Sequence, residues 1–428
     1  GEVARQLVDS GAVAVVVHPL LEEAVTGAVG TLKRPIKVFV TGENDHGLPD
    51  LTQVVQDKNI PFCDVFTPGP EDMSVLPYSS GTTGPPKGVW ISHDAIRANM
   101  GMVLNGQVWP YIPTTASSQE TVMGLMPFFH AWGMYTVLAC SLAHGAKIVT
   151  LPKFIPEFFM DIIKDHKIGV LHLVPSLLLF LVGHPMVKPE DLASLRVAMC
   201  SAAPVPAPAA TALKAKAPNK NLLFQEAYGM TETMPSHWTP AVGGPIGSSG
   251  VLLPNAKSNV VSLEDGSILG PGQPGELWTK TPSVMSRYHN NEAATLETLP
   301  GDGWLRTGDV AMYDEVGFFY IVDRIKELIK VKGMQVSPSE LESELLQHPG
   351  VGEVGVVGVP DDRAGELPRA YVIRRDPGVT EQQLIEFMSN RVAPHKRLAA
   401  GVRFVESLPK NQTGKLVRQT LKEMAMQD

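Results

Sequence analysis

Short apolar runs alternate with helix-like segments through the first half of the chain, and this alternation restricts the possible folds more than any other feature. Helical segments such as Ala207–Lys216 separate the runs, and strands joined through helices pair in parallel. The pattern therefore predicts an α/β fold over about residues 1–242. The predicted strands are Ala12–Val17, Ile36–Val40, Thr121–Met126, Lys147–Leu151, Val170–Val174, Arg196–Cys200 and Leu222–Gln225.

Two changes of pattern divide the rest of the chain. From Gly243 to Val322, short β runs alternate with Gly, Pro, Asn and Asp turns, which predicts a small β-barrel or antiparallel sheet. Residues 1–320 carry 20 basic and 29 acidic side chains, whereas residues 321–428 carry 16 and 15, so the charge density nearly doubles. We therefore expect a large domain over residues 1–322 and a compact α+β domain over residues 325–428.

Composition argues against several classes of protein. The 428-residue chain has a net charge of −8 and no long basic run, so we expect no nucleic-acid partner. The longest apolar stretch, Ile168–Val182, is too short to span a bilayer, so we expect no membrane segment. The scattered cysteines Cys63, Cys140 and Cys200 predict buried thiols. Because no signal-like segment opens the chain and its last residues are not Ser-Lys-Leu, we expect a cytoplasmic location.

Residues Ser79–Gly88 read Ser-Ser-Gly-Thr-Thr-Gly-Pro-Pro-Lys-Gly, which is a strong local signal for a ligand. Glycines let the backbone approach a ligand closely, and backbone N–H groups with hydroxyls favour an anion. The spacing differs from a Walker loop, so another kind of phosphate loop is predicted, with a flexible linker as the alternative. The residues expected to bind phosphate are Ser79, Ser80, Gly81, Thr82, Thr83, Gly84 and Lys87.

A second signal, Tyr228-Gly229-Met230-Thr231-Glu232, directly follows a predicted strand. Open α/β sheets bind ligands at the carboxyl ends of their strands. An aromatic ring suits adenine, a hydroxyl suits phosphate and a carboxylate suits magnesium, so the pentapeptide predicts a nucleotide site. Taken alone, it fits an ordinary loop with a solvated glutamate equally well.

Together with three later motifs, these stretches resemble the adenylate-forming superfamily of acyl-CoA synthetases, coumarate–CoA ligases and luciferases. The later motifs are Trp304–Asp309, Asp323–Lys330 and Leu408–Lys415. Alone, a Thr-Gly-Asp turn or a charged run is common. Their order along the chain makes the resemblance specific. It implies a large N-terminal domain, a hinge at residues 323–324 and a small mobile C-terminal domain.

The resemblance implies roles for residues in the nucleotide site. Asp309 and Arg324 would bind the ribose, and Tyr228 would lie against the adenine. Thr231 would contact phosphate, and Glu232 would hold magnesium. The other positions implied to contact ATP, AMP or coenzyme A are Ala203, Pro204, Gln225, Gly229, Gly333 and Gln335.

Two lysines have separate implied roles in catalysis. Lys415 would bridge the substrate carboxylate and the α-phosphate, because a compact ammonium stabilises charge that develops there. Lys330 would contact the acyl-adenylate in the thioester-forming arrangement. The implied catalytic set is completed by Thr231, Glu232 and His130.

The acyl pocket is implied by the segments Pro127–His130 and Ser201–Pro204. Ser201 and Ala227 occupy positions where coumarate–CoA ligases carry glycine, so a hydroxycinnamate specificity does not follow from the resemblance. We expect a hydrophobic acid, either aromatic or with a medium to long chain. The expected pocket residues are His130, Trp132, Ser201, Ala202 and Ala227.

The implied activity is that of an ATP-dependent carboxylic acid–CoA ligase. A small carboxylic acid would react with Mg²⁺-ATP to give an acyl-adenylate and pyrophosphate, and the thiol of coenzyme A would then displace AMP. The alternatives are a luciferase-like oxygenase, an adenylation domain that feeds a carrier protein, and a nucleotide-binding pseudoenzyme. The last alternative arises because about a hundred residues of the family's first subdomain do not precede Gly1.

Overall fold

The computed structural model describes residues 1–44, 47–60, 67–79, 86–151, 153–411 and 414–427. The chain forms two compact units. The first comprises Gly1–His93 with Met285–Thr295, and the second comprises Asp94–Val284 with Leu296–Asp428. Within the described residues, no helix combines the length and apolar character needed to cross a bilayer.

Helices and strands alternate along the described chain. The α-helices are α1 Glu2–Asp9, α2 Glu22–Gly30, α3 Leu51–Gln56, α4 His93–Val103, α5 Ser141–Ala143, α6 Pro156–Asp165, α7 Pro175–Gly183, α8 Ala207–Lys216, α9 Glu292–Thr298, α10 Pro338–Leu345, α11 Glu381–Ser389 and α12 Arg418–Gln427. A π-helix covers Trp132–Cys140, and 3₁₀ turns cover Pro19–Leu21, Pro189–Leu192 and Pro394–Lys396.

The strands are short, as is usual in globular proteins. The earlier strands are β1 Ala14–Val17, β2 Lys37–Val40, β3 Met73–Val75, β4 Tyr78–Ser79, β5 Lys87–Ser92, β6 Thr121–Gly124, β7 Lys147–Thr150, β8 Val170–Leu173, β9 Val197–Cys200, β10 Leu223–Met230, β11 Met234–Trp238 and β12 Val251–Leu252. The later strands are β13 Lys257–Val261, β14 Gly275–Lys280, β15 Arg287–Tyr288, β16 Leu305–Tyr313, β17 Phe319–Arg324, β18 Ile329–Val331, β19 Met334–Val336, β20 Val351–Asp361, β21 Gly365–Arg374 and β22 Val402–Phe404.

The first unit contains two small sheets. Strands β1 and β2 pair in parallel, and β5 pairs antiparallel with β3, β4 and β15. Asp9, the last residue of α1, joins that helix to the β5 sheet, because its Oδ2 accepts a hydrogen bond from Tyr78 Oη at 2.6 Å and its main-chain oxygen lies 2.9 Å from His289 Nε2. Strand β4 ends at Ser79 and β5 begins at Lys87, so this sheet holds both flanks of the predicted phosphate loop.

The second unit is built on a sheet in the order β12-β11-β10-β9-β8-β6-β7. Strands β6 to β10 are parallel to one another, whereas β11 and β12 run antiparallel. Every residue of β8 and β9 is buried, as expected for strands that helices cover on both faces. The predicted α/β architecture is therefore confirmed.

The segment predicted as a small β-barrel or antiparallel sheet forms an antiparallel sheet in the order β13-β14-β16-β17. Its register places Asp309 of β16 opposite Arg324 of β17. Asp314 holds the turn between these strands, since its Oδ1 accepts hydrogen bonds from the N–H groups of Val316 at 3.1 Å and Phe318 at 2.9 Å. This register places the two residues that are predicted to bind the ribose beside each other.

The residues after Arg324 form a sheet in the order β19-β18-β21-β20, with β22 parallel to β21. Helices α10 and α12 pack on β20. Ser337 caps α10, because its Oγ accepts a hydrogen bond from the N–H of Glu340 at 3.1 Å. The carboxylate of Asp323 completes the cap by accepting from Ser337 Oγ at 2.7 Å and from the N–H of Ser339 at 2.9 Å. A residue at the end of β17 therefore fixes the start of α10.

The helical segment between β6 and β7 is not an ordinary α-helix over most of its length. The π-helix starts at Trp132, and α5 follows it to Ala143. Gly133 allows this start, because a Cβ at that position would lie 2.1 Å from the main-chain oxygen of Pro127. The close approach brings the 127–130 segment against the helix and so positions His130.

We expect Gly133→Ala to lower the free energy of unfolding by about 1–3 kcal/mol, since the new methyl group would overlap backbone atoms that cannot turn away. Gly101→Ala is the matched control, because Gly101 lies in α4 and a Cβ added there would meet no atom within 4 Å outside its own helix. That control should be neutral or should stabilise by about 0.5–1 kcal/mol. Urea unfolding followed by tryptophan fluorescence measures both. Equal stability of the two variants would contradict this explanation of the π-helix.

Candidate functional site

The carboxylate of Asp309 lies at the centre of the site. It is 4% exposed, and its Oδ2 accepts a hydrogen bond from Tyr228 Oη at 2.7 Å. Its Oδ1 lies 3.1 Å from Arg324 Nε. Strand β10 supplies Tyr228, β16 supplies Asp309 and β17 supplies Arg324. Each carboxylate oxygen can accept two hydrogen bonds, so Asp309 keeps acceptor capacity for a pair of ligand hydroxyls.

Burial and neighbouring charges both shift the pKa values of these three residues. Burial raises the pKa of Asp309, while Arg324 and Tyr228 oppose the rise. Burial also disfavours the charged form of Arg324, but Asp309 and then Glu327 raise the pKa of Arg324 above its ordinary value. Burial and the Asp309 charge raise the pKa of Tyr228 well above its ordinary value, so its hydroxyl keeps its proton and donates.

The C-terminal segment brings Lys415 to this cluster. A turn at Gly414, with φ of 78°, carries the lysine, and a Cβ at Gly414 would lie 2.9 Å from Ser176 Oγ. The N–H of Lys415 donates to Asn411 Oδ1 at 2.9 Å. Burial and the charge of Arg324 lower the pKa of Lys415, while Glu327 and Asp309 oppose that change. The charges of two carboxylates and a guanidinium therefore act on this ammonium.

His130 also lies within electrostatic reach of Lys415. Burial, together with the charge on Lys415, lowers the pKa of His130, which favours a neutral imidazole at physiological pH. Its Nδ1 accepts a hydrogen bond from the N–H of Trp132 at 3.3 Å. The structure therefore brings His130 and Lys415 together from segments that are far apart in the sequence.

The residues predicted for the acyl pocket lie in one region. Trp132 is 6% exposed, and its ring centroid lies 5.5 Å from that of Trp238, which pairs with Ala227 across β10 and β11. Ser201 Oγ donates to the main-chain oxygen of Ala227 at 2.7 Å. Ala202 follows with φ of 73°, so the chain turns sharply after β9. Ala203 is partly buried and Pro204 is exposed in the segment that leads to α8.

Gly229, Thr231 and Glu232 lie at the turn between β10 and β11. A Cβ at Gly229 would lie 2.3 Å from the main-chain oxygen of Met234, so glycine is required for this close pairing. Glu232 is 5% exposed, and its charge acts on Arg324. No group of three His, Cys, Asp or Glu side chains able to hold a metal occurs in the described part of the chain. Mg²⁺ in nucleotide sites is bound by one or two carboxylates together with phosphate oxygens. The single carboxylate of Glu232 is therefore sufficient for such a role.

Lys330, Gly333 and Gln335 lie elsewhere on the second unit. They belong to the hairpin β18–β19, where Lys330 pairs with Gln335 and the turn is formed by Lys332 and Gly333, with φ of 51° and 80°. All are exposed, and the N–H of Lys330 donates to Glu366 Oε2 at 2.8 Å. Among the described residues, none of their hydrogen bonds or ion pairs involves Asp309, Arg324 or Lys415.

The predicted phosphate loop is described only at its flanks. Ser80, Gly81, Thr82, Thr83 and Gly84 lie outside the described residues. Ser79 and Lys87 face each other in the β4–β5 pairing. The ammonium of Lys87 lies 4.2 Å from the ring centroid of Tyr288. This cation–π contact gives the lysine a defined position at the end of the loop.

Gln225 is placed inside the protein rather than at an accessible surface. It is fully buried, and its Nε2 donates to the main-chain oxygens of Val108 at 2.9 Å and Thr239 at 2.7 Å. Its side-chain amide therefore joins β10 to the segments that contain Val108 and Thr239. The proposal that Gln225 contacts a cofactor has no support from these contacts.

Comparison with known families agrees with this geometry. The chain matches the family model of the AMP-binding enzymes over residues 1–289 and that of the AMP-binding enzyme C-terminal domain over residues 340–415. The chain belongs to the AMP-binding enzyme family. The resemblance to adenylate-forming enzymes is thereby confirmed.

Individual members of the AMP-binding family are similar over most of the chain. It is 40% identical to Probable 4-coumarate–CoA ligase 3 of Dictyostelium discoideum over 82% of the chain and 63% of that protein. It is 39% identical to luciferin 4-monooxygenase of Luciola mingrelica over 83% of the chain and 64% of that protein. The chain thus spans less than two thirds of the length of these relatives. The crystal structure of the anthranilate CoA ligase AuaEII in complex with anthranoyl-AMP matches with a TM-score of 0.89 and 26% identity, over 100% of this chain and 80% of that one.

Three ionisable residues near the site are absent from the sequence-based prediction: Glu226, Glu327 and Arg418. Glu226 is 7% exposed on β10, where its Oε1 accepts a hydrogen bond from the N–H of Gly247 at 2.6 Å. Burial raises the pKa of Glu226 to about 8. An acidic residue inside an otherwise buried strand is the sequence signal that could have identified it.

Glu226→Gln is expected to change how stability depends on pH. An unfolded glutamate has a pKa of about 4.3, so between about pH 4 and pH 8 the folded wild type holds a proton that the unfolded chain releases. Wild-type stability should therefore fall as pH rises through this range, by a few kcal/mol at about 1.4 kcal/mol per pKa unit. The variant lacks the titrating group, so its melting temperature should fall less between pH 5 and pH 8.

Glu264→Gln provides the control, because Glu264 is exposed and should leave the pH dependence unchanged. Thermal melts of wild type and both variants, recorded by circular dichroism at several pH values, make the measurement. Parallel pH profiles for wild type and Glu226→Gln would show that Glu226 is not held protonated by burial.

Proposed function

We propose that the protein is an ATP-dependent carboxylic acid–CoA ligase that adenylates a hydrophobic acid, aromatic or with a medium to long chain, and transfers the acyl group to coenzyme A. The observation that carries the proposal is that the charges of Arg324 and Asp309 act on Lys415 and that the charge of Lys415 acts on His130. A lysine from the C-terminal segment is thus within electrostatic reach of a buried carboxylate and a guanidinium from the antiparallel sheet β13-β14-β16-β17. This arrangement suits a phosphate and a carboxylate that react with each other.

The nucleotide would be held from several elements. The acceptor oxygens of Asp309 suit the two ribose hydroxyls, with Arg324 beside them. Tyr228 would place its ring against adenine, and Thr231 would contact phosphate. Ser79, Lys87 and the loop between them would bind the β- and γ-phosphates. Mg²⁺ held by Glu232 would neutralise phosphate charge when it is bound with ATP.

In the first half-reaction, a carboxylate oxygen of the acid attacks the α-phosphorus of ATP, and pyrophosphate leaves with the electron pair of the broken P–O bond. Both reacting groups are anionic, so the barrier falls when cations occupy the space between them. The ammonium of Lys415 serves this purpose. Neutral His130 beside it can orient the carboxylate without adding a second charge.

In the second half-reaction, the sulfur of coenzyme A attacks the acyl carbon and AMP leaves. Lys330, Gly333 and Gln335 would then replace Lys415 at the site. They lie on the exposed hairpin β18–β19, and this exposure supports an arrangement suited to adenylation. A rotation about the predicted hinge at residues 323–324 would exchange the two lysines.

The acid would enter between His130 and the Trp132–Ala227 region. Trp132, which packs against the fully buried Trp238, would favour an apolar acyl group. Ser201 is bonded to a main-chain oxygen, so its hydroxyl is already engaged. The names of two relatives, a coumarate–CoA ligase and an anthranilate CoA ligase, support an aromatic acid. Luciferin 4-monooxygenase supports a second candidate function, in which the adenylate is oxygenated.

Carboxylate-dependent exchange of pyrophosphate into ATP, measured across a panel of aromatic and aliphatic acids and followed by addition of coenzyme A, tests the proposal. A CoA ligase shows exchange with a hydrophobic acid and then forms the thioester. Exchange without a thioester favours the oxygenase or a carrier-linked domain. ATP binding without exchange for any acid favours the pseudoenzyme.

We expect Lys415→Ala to reduce acid-dependent exchange by about 100-fold or more, because it removes charge stabilisation made in the transition state. The variant should still convert chemically prepared acyl-adenylate to thioester. Lys330→Ala should show the opposite pattern. Lys410→Ala is the matched control, since Lys410 lies in the same segment but its Nζ is paired with Glu353 at 2.6 Å. Equal losses of both half-reactions in folded Lys415→Ala would contradict this division of roles.

A further inference from the structure

Arg418 is a buried cation close to the candidate site. It is the first residue of α12, three positions after Lys415, and its side chain is 11% exposed. Its Nε lies 2.7 Å from Glu327 Oε2, and its two terminal nitrogens donate to both carboxylate oxygens of Glu342. Nη2 also donates to Ser339 Oγ at 3.1 Å. A guanidinium with this many charge-assisted bonds has little freedom to move.

Glu327 holds the other end of this contact. It lies three positions after Arg324, its N–H donates to the main-chain oxygen of Arg324 at 2.9 Å, and its side chain is 15% exposed. The ion pair with Arg418 therefore joins the segment that follows Arg324 to the segment that follows Lys415. Each member of the ion pair lies only three positions along the chain from one of these two candidate site residues.

The charge of Glu327 also acts directly inside the site. The charged and titratable groups that face Lys415 are Arg324 and Glu327 from the end of β17 and the following turn, Asp309 from β16, Arg418 from α12, and His130 from the segment before the π-helix. Among these groups, Asp309 and Glu327 are the carboxylates. Asp309 already contacts Arg324 and Tyr228, so Glu327 is the acid whose contacts lead to the Lys415 segment.

We propose that the Glu327–Arg418 ion pair positions Lys415 for adenylation. The inference rests on the proposed role of Lys415 in acid–CoA ligation. Glu327 and Arg418 are positioning residues, because they act through Lys415 rather than on the substrate. Their contacts make the turn after Arg324, the start of α10 and the Lys415 segment into one rigid block.

The block extends to the predicted hinge. Asp323 binds Ser337 Oγ and the N–H of Ser339, and Ser339 Oγ in turn accepts from Arg418. A rotation at residues 323–324 would therefore move Lys415 together with α10, so the Lys415 segment would not move independently. Fixing the lysine in this way reduces the conformational freedom that adenylation must remove.

The first test is Glu327→Gln, which keeps the size of the side chain and removes its charge. Acid-dependent ATP–pyrophosphate exchange should fall by about tenfold or more near neutral pH, because misplaced catalytic groups lose large factors in rate. Thioester formation from supplied acyl-adenylate should stay within about twofold of wild type, since Lys415 is not used there. The alkaline limb of the exchange profile should move to lower pH by about one unit, because a carboxylate that favours the ammonium has been removed.

Glu344→Gln is the matched control. Glu344 lies on α10, and its Oε2 is paired with Arg391 Nε at 2.8 Å on the exposed side of the helix. Its loss removes an ion pair of similar length from the same helix region without changing the surroundings of Lys415. Exchange, thioester formation and the pH profile of this variant should match those of the wild type.

A second variant separates charge from position. Glu327→Asp keeps the charge but shortens the reach to Arg418, so exchange should fall while the alkaline limb stays where it is in the wild type. In a Lys415→Ala background, Glu327→Gln should cause no further loss of exchange, because both changes act through the same ammonium. Melting temperatures verify that each variant is folded, and Glu327→Asp provides the test if Glu327→Gln does not fold.

The outcomes distinguish this inference from the proposed function. If wild type shows no exchange with any acid, the proposed function fails. If wild type shows exchange but Glu327→Gln and Glu327→Asp behave like Glu344→Gln, the positioning inference is overturned and the proposed function stands. Additive losses in the double variant with Lys415→Ala would also overturn it.

Discussion

The site depends on one buried carboxylate, that of Asp309. The β16–β17 register places it opposite Arg324, and the end of β10 brings the hydroxyl of Tyr228 to its other oxygen. The contact with Tyr228 joins the large mixed sheet to the antiparallel sheet, and the contact with Arg324 lies within the antiparallel sheet at the point where the chain leaves for its C-terminal part. A buried charge is costly unless it is paired and hydrogen-bonded, so the three side chains hold one another in place.

Charge balance explains how several cations can share this region. Arg418 is matched mainly by Glu342, while Asp309 and Glu327 face Arg324 and Lys415. The cluster is therefore close to neutral before any ligand arrives. Burial lowers the pKa of Lys415, and the nearby carboxylates limit that decrease. Lys415 can thus bind an anionic phosphate and carboxylate although it is partly buried.

Much of this arrangement could be predicted from the sequence. Strands such as β8 are continuous apolar runs because both of their faces are buried, and such runs are easy to recognise. Tyr228, Asp309, Arg324 and Lys415 belong to separate predicted motifs, and the structure brings them together. Motifs of this kind are local, so their residues can be named before their distances are known.

The rest depends on contacts between distant segments. The π-helix that starts at Trp132 follows from a backbone approach at Gly133 that no periodicity reveals. The side-chain amide of Gln225 donates to the main-chain oxygens of Val108 and Thr239, and these two partners are not evident from the local sequence. Glu327 resembles any acid in a charged run, and only its tertiary partner, Arg418, distinguishes it. Partner choice of this kind cannot be derived from local sequence.

Calorimetric titration with AMP tests most directly whether Asp309 is the carboxylate around which a nucleotide is bound. We predict that the wild type binds AMP and that Asp309→Asn weakens the affinity by about tenfold or more, which corresponds to about 1.4 kcal/mol. Thermal melts should show that the variant is folded. An unchanged affinity in folded Asp309→Asn, or the absence of AMP binding to the wild type, would contradict this central role of Asp309.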